Sequence, residues 1–170
     1  TVFLSGIIGS QFSPVKSLAT LPMALSIVGI AIFAIFAAKV MSIIGRRAGF
    51  IFASIISSLS SLLAAYSIII ESFILFNLAC FLLGAGVAFS HQYRFAAVET
   101  VKKDMAPKAI SIILLAGIGS AFIGPNVANV TKDIIAEHLY AGSYIALAVL
   151  TLTSIIFLLF YKDGHKPNRI

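Results

Sequence analysis

Charge is scarce in this chain. Lys, Arg, Asp and Glu make up 11% of its 170 residues, against about a quarter in a water-soluble domain. Hydrophobic residues make up 60%, and mean hydropathy is +1.08. A fold with a charged aqueous surface is therefore excluded, and most of the chain has hydrocarbon as its solvent. Cysteine is nearly absent. The single Cys80 lies mid-run, which excludes an intramolecular disulfide and a thiolate metal framework. Tryptophan is missing; fourteen Phe and five Tyr read as packing and interface residues, not as a cofactor box, and no cofactor is expected. Acid is short too, with six acidic residues against twelve basic ones and a net charge of +6. That surplus does not point to nucleic acid, because the basic residues sit in short loops between apolar runs. Proline and glycine are spread through the runs instead of gathering in a linker, and no low-complexity tail or soluble domain interrupts them.

What the chain does have is long apolar runs. A helix needs roughly 20 apolar residues to cross the hydrocarbon. The runs 18–40, 48–70, 73–98, 109–130 and 139–161 all qualify. The Pro, Gly, Ser and Asn they contain are tolerated in spanning helices when neighbours supply partners. The opening stretch, about 1–12, is apolar but too short to span. It lacks an initiator Met and a basic start, so it does not read as a signal peptide. It is expected to be the end of a first helix whose beginning lies upstream. The expected fold is an all-α polytopic transmembrane bundle over residues 1–170: five full helices and the tail of a sixth.

Orientation follows from Lys and Arg. With the partial helix counted as the first, the second loop holds Arg46 and Arg47, with Lys39 at its edge. The fourth loop holds Lys102, Lys103 and Lys108, and the tail holds Lys162, Lys166 and Arg169. The alternate loops hold only Lys16 and Lys132. Loops 41–47 and 101–108 and the carboxy-terminus are thus expected in the cytoplasm, with the protein in a bacterial inner membrane.

The loop between the second and third spans carries a motif. It reads Ala38-x-x-x-Ser42-Ile43-x-Gly45-Arg46-Arg47. This resembles G-x-x-x-D-R-x-G-R-R, the signature of the major facilitator superfamily at this position. The second half matches; Ala38, Ser42 and Ile43 replace Gly, Asp and a basic residue. In the fourth span, Cys80-x-x-Leu83-Gly84-x-Gly86 keeps the glycines of the family's R-x-x-Q-G-x-G. In the fifth, 116–129 keeps the Gly124–Pro125 pair found in many exporters of the family. The resemblance covers nearly the whole chain. It implies the amino-terminal half of a twelve-helix secondary transporter, a permease or exporter working by alternating access. The implied partners are a small-molecule substrate, a coupling proton or sodium ion, the lipid bilayer and the missing carboxy-terminal half.

Residues of the fifth span also speak for themselves. Ala116, Ser120 and Gly124 recur every four residues and line one helix face. In lipid, small residues at that spacing let two backbones approach closely. Pro125 removes a backbone hydrogen bond and is expected to bend the helix. The plain reading is a tightly packed helix pair; the functional one is a bend that lets the half-bundle rock. The second and fifth spans would correspond in an inverted repeat, with Gly29–Ile30 and Gly117–Ile118 as its only trace.

The fourth span ends in an unusually polar stretch, with His91, Gln92, Arg94 and Glu99 ahead of Lys102 and Lys103. His91 and Arg94, three apart, share a face. Arg94 and Glu99 are five apart, about 140° around a continuous helix, so each needs its own explanation. The family resemblance implies that Glu99 pairs with Arg46 or Arg47 when the cytoplasmic side is closed. A half-exposed pair of this kind contributes about 1 kcal/mol, which suits a switch. The alternative is a local helix pair with Lys102 or Lys103. Arg94 lies roughly 12 Å deeper than Lys102 in a helix rising about 1.5 Å per residue. A charge at that depth faces a water-filled interior or snorkels to the headgroups. Arg94 is expected to line a central cavity together with Gln92, His91 and Asn77, and to bind an anionic group of a substrate or to pair with an acid of the missing half.

Two other classes compete with a transporter. An intramembrane hydrolase would need a nucleophile beside a base; Ser120 and His91 are the nominees, but no G-x-S-x-G surrounds Ser120. A membrane scaffold without transport could use the same helices. Glu71, Asp133, Glu137 and His138 lie at the outer ends, where solvated loops account for them.

Overall fold

In hydrocarbon every backbone N–H and C=O must find its partner within the chain, and a helix does this locally. The computed structural model describes residues 2–13, 16–135 and 137–160. Among these there are seven α-helices and no strand. They are α1 (Val2–Phe12), α2 (Leu21–Ile44), α3 (Arg46–Ile69), α4 (Phe73–Ser90), α5 (Tyr93–Thr100), α6 (Ala106–Thr131) and α7 (Ala141–Phe160), with short 3-10 turns at Lys16–Leu18 and Lys103–Met105. Five segments are long and apolar enough to cross a membrane: α2, α3, the α4–α5 pair taken to Val98, α6 and α7. The fold is thus a polytopic helical membrane bundle, with five candidate spans and the shorter helix α1. Lys162, Lys166 and Arg169 lie outside the described residues.

The corners are local chemistry. Gly45 alone separates α2 from α3, at φ 89° and ψ 161°. That conformation is essentially closed to any residue with a Cβ. The Gly45 N–H closes α2 on the Met41 carbonyl (3.1 Å), while its own carbonyl accepts from the Gly49 N–H (3.1 Å) and opens α3. The glycine of the Gly-Arg-Arg motif is therefore a one-residue hinge point between two 24-residue helices. At the opposite end, Ser72 caps α4, its Oγ accepting from the Leu75 N–H at 3.4 Å. Between α6 and α7, the Ser143 hydroxyl donates to the Ala128 carbonyl (2.7 Å) and Tyr140 turns at φ 70°.

Packing runs in a chain, with α2 against α4, α4 against α3 and α3 against α7. The α2–α4 crossing is made by two glycines. A Cβ on Gly29 would fall on the Phe81 carbonyl oxygen, and one on Gly84 would fall on the Ser26 carbonyl oxygen. Gly86, two residues on, faces α3 instead, where a Cβ would strike the Ser57 hydroxyl. The two glycines kept in the fourth-span motif thus serve two different neighbours. A core of Ile8, Ala64, Ile68, Phe76, Leu83 and Tyr144 joins α1, α3, α4 and α7, with Phe76 and Tyr144 edge to face at 5.9 Å. A second cluster near the Arg46–Arg47 end gathers Met41, Phe50, Ala53, Phe89 and Ala96.

Two findings differ from the reading of the sequence. The fourth span does not run as one regular helix. It tightens at His91–Gln92, where the Gln92 N–H donates to the Phe89 carbonyl (3.0 Å) in a three-residue step before the regular pattern resumes with Ala96 N–H to Gln92 carbonyl (3.0 Å). The small-residue face of α6 is also unpaired among the described residues. Ala116, Ser120 and Gly124 are exposed, and a Cβ on Gly117, Gly119 or Gly124 would meet nothing within 4 Å.

Candidate functional site

Two places gather the residues singled out by sequence: the corner where α2, α3 and the α4–α5 junction meet, and a cavity along α6.

At the corner, the Gly45 turn delivers Arg46 and Arg47 to the first turn of α3. Neighbouring positions on a helix point about 100° apart, and the two guanidinium groups diverge. Arg46 Nη1 donates to Gln92 Oε1 at 3.3 Å and lies 3.8 Å from Met41 Sδ. Arg47 Nη2 donates to the Leu159 carbonyl of α7 at 2.7 Å. The Arg46 contact falls on the tightened step between α4 and α5. One residue further, the Tyr93 ring stacks on Phe50 of α3, with centroids 4.2 Å apart and planes at 19°. The start of α5 is thus fixed to α3 by a polar contact and a ring stack side by side. Arg94 and His91 are exposed on α5 and the step before it, with Arg94 Nη2 3.5 Å from His91 Nδ1. The structure brings Arg46, Gln92, Gly45, His91 and Arg94 to one end of the bundle. The side chain of Glu99 lies outside the described residues.

Sequence reasoning placed Gln92 among cavity residues and did not foresee it as a partner of Arg46. It overlooked Tyr93, Phe50 and Leu159 altogether. An aromatic in the second turn of α3 and another within the polar stretch were the available signal for the ring stack. A backbone carbonyl such as that of Leu159 leaves no trace in composition.

The second place is a cavity of about 980 Å³ between α1, α6 and α7. Leu4 and Ile7 form one wall; Ser120, Gly124, Pro125 and Asn126 form another; Tyr140 and Tyr144 close the side. Ser120 donates its hydroxyl to the Gly117 carbonyl (2.7 Å), and Asn126 Nδ2 donates to the Phe122 carbonyl (2.8 Å), both within their own helix. Asn77 is not on this wall. It is buried in α4, with Nδ2 donating to the Phe73 carbonyl at 2.8 Å. Its Oδ1 and the Tyr144 hydroxyl have no partner among the described residues.

Comparison with known proteins bears directly on the motif at the corner. The family model of the Major Facilitator Superfamily matches residues 1–170. The riboflavin transporter RfnT of Brucella anthropi is 32% identical over 172 residues, covering 99% of this chain and 43% of that protein. Two MFS-type transporters of Bacillus subtilis, YdeG and YddS, are 27% and 28% identical over 95% and 86% of this chain, and over 39% and 35% of their own lengths. The chain spans about two fifths of the length of these relatives. No solved structure matches it. With its all-helical spans, its Gly-Arg-Arg corner and a match along its entire length, the chain belongs to the Major Facilitator Superfamily.

Proposed function

We propose that the chain is the amino-terminal half of a secondary transporter that carries a small solute across the membrane by alternating access. The observation that carries this reading is the uncovered face of α6 in a chain that spans 43% of its relative RfnT. Small residues in a spanning helix serve close approach by another helix. Here the approach comes from the carboxy-terminal half, against which this half rocks. Gly124 on that face and Pro125 beside it supply the bend. The Gly45–Arg46–Arg47 end lies in the cytoplasm of a bacterial inner membrane, as the positive-inside rule favours.

In this reading the α5 end is the gate. Arg46 holds Gln92 when the cytoplasmic side is closed, and Glu99 adds a carboxylate to the same arginine pair. Arg94, with His91 beside it, faces the water between the halves and binds an anionic or electron-rich edge of the solute. The protein moves its solute without chemical change. The coupling ion, proton or sodium, is carried in the second half, since Glu99 is too near the surface to shuttle a proton across the midplane. The cargo named for RfnT makes a flat heteroaromatic solute the first to test. Uptake of riboflavin into vesicles holding the full-length protein would be measured for wild type, Arg94→Ala and Arg94→Lys. Loss of flux in the alanine variant with partial retention in the lysine variant supports the cavity role. Unchanged flux in both, with normal insertion, ends it.

A further inference from the structure

The two arginines at the corner occupy different stripes of α3, and the stripes face different helices. Arg46 shares its stripe with Phe50, Ala53 and Ser57, at steps of four, seven and eleven residues. Three residues of that stripe meet the fourth span: Arg46 at Gln92, Phe50 at Tyr93, and Ser57 opposite Gly86. Arg47 shares its stripe with Ser54 and Ser58, at steps of seven and eleven, close to two and three full turns. That stripe meets α7. Arg47 donates to the Leu159 carbonyl (2.7 Å), Ser54 Oγ lies 3.0 Å from Ser154 Oγ, and the Ser58 hydroxyl donates to the Ala148 carbonyl (3.3 Å). Eleven residues separate Arg47 from Ser58, and eleven separate Leu159 from Ala148. Arg47–Leu159 and Ser58–Ala148 therefore share one antiparallel register, and Ser54–Ser154 lies between them, two residues off it.

We infer that Arg47 is a clamp on the end of α7 and that it fastens α3 and α7 into one strut. Leu159 is the last but one described residue of α7. Its carbonyl accepts a charge-assisted hydrogen bond from the guanidinium, the stronger kind. The Arg47 rung completes the ladder that the two serines begin deeper in the membrane. The pair of arginines thus divides its work: Arg46 contacts the span that carries the polar stretch, and Arg47 ties down a span that carries none. The gating assigned to Arg46 rests on the transport reading; the clamp does not, and its test needs no transported solute.

The test is hydrogen exchange on the full-length protein in detergent or nanodiscs, read peptide by peptide. Arg47→Ala is expected to raise exchange over residues 154–160 by about tenfold, because opening of the last turns no longer breaks the rung. Peptides from the α2–α4 crossing should change by less than about twofold, as independent opening units do. Arg46→Ala should leave residues 154–160 as in wild type. Arg47→Lys, which keeps the charge but replaces the planar fork with an ammonium on a flexible stem, should give an intermediate rise and serves if the alanine variant does not insert. Unchanged exchange over 154–160 in the Arg47 variants overturns the clamp. So does an equal rise in Arg46→Ala, which would make the arginines one unit.

Discussion

Helices α3 and α6 are built alike and end up differently. Both are long, apolar and rich in small residues, with serines along α3 and Gly117, Gly119, Ser120 and Gly124 along α6. In α3 the small residues are covered on two faces, by α4 through Gly86 and by α7 through Ser154 and Ala148. In α6 the corresponding face is open along the middle of the helix. Small residues therefore mark where a membrane helix is approached, and say nothing about which helix approaches. For α3 the partner lies within the chain; for α6 the proposed partner lies in the other half of the transporter.

Filling covered and open faces with bulk sets the two kinds of helix apart. Gly84→Leu puts a large side chain where the Ser26 carbonyl and Gly29 Cα already sit. Thermal or denaturant unfolding should show a loss of about 3 kcal/mol, the upper range for overpacking. Gly45→Ala, at the positive-φ corner, should cost about 1–3 kcal/mol on the same measurement, because the strain falls on the backbone itself. Gly124→Leu should be neutral for the packing within this half, changing the stability of α1 to α7 by less than about 0.5 kcal/mol. It should nonetheless abolish uptake by the full-length protein, as expected if the face is a seat for the second half. A smaller effect concerns the corner: a double-mutant cycle between Arg46→Ala and Gln92→Leu should return a coupling of about 0.5–1.5 kcal/mol. The least is expected from Ser54→Ala, about 0.6 kcal/mol, the average for an interhelical hydrogen bond in a membrane protein.

Much of the fold was legible because hydrocarbon leaves few choices. Runs near 20 residues with little internal charge had to be helices, and the Gly-Arg-Arg loop pointed to a family that the whole-length match bears out. The tightened step at His91–Gln92 was not legible. It contains neither Pro nor Gly, and it coincides with tertiary contacts, the Arg46 bond and the Phe50–Tyr93 stack. Gln92 was singled out for its polarity, yet its partner required knowing how the Gly45 turn aims Arg46. The two dipeptides offered as the trace of an inverted repeat have different surroundings. Gly29 sits in a tight crossing against α4, whereas Gly117 meets nothing within 4 Å. Two similar dipeptides thus occupy opposite environments. The divergence of the arginines was written in the sequence all along, as steps of seven and eleven to Ser54 and Ser58. It became visible only when α7 was seen to lie on that stripe.

Disulfide scanning on the open face of α6, in the full-length protein, asks whether a second half seats there. Ser120→Cys would be introduced in a Cys80→Ala background and oxidised against single cysteines placed along the spans beyond residue 170. A cross-link to at least one of those spans is predicted, with a yield that changes when transported solute is added. A face that forms no such cross-link and is labelled instead by a lipid-phase carbene would contradict a transporter of two rocking halves.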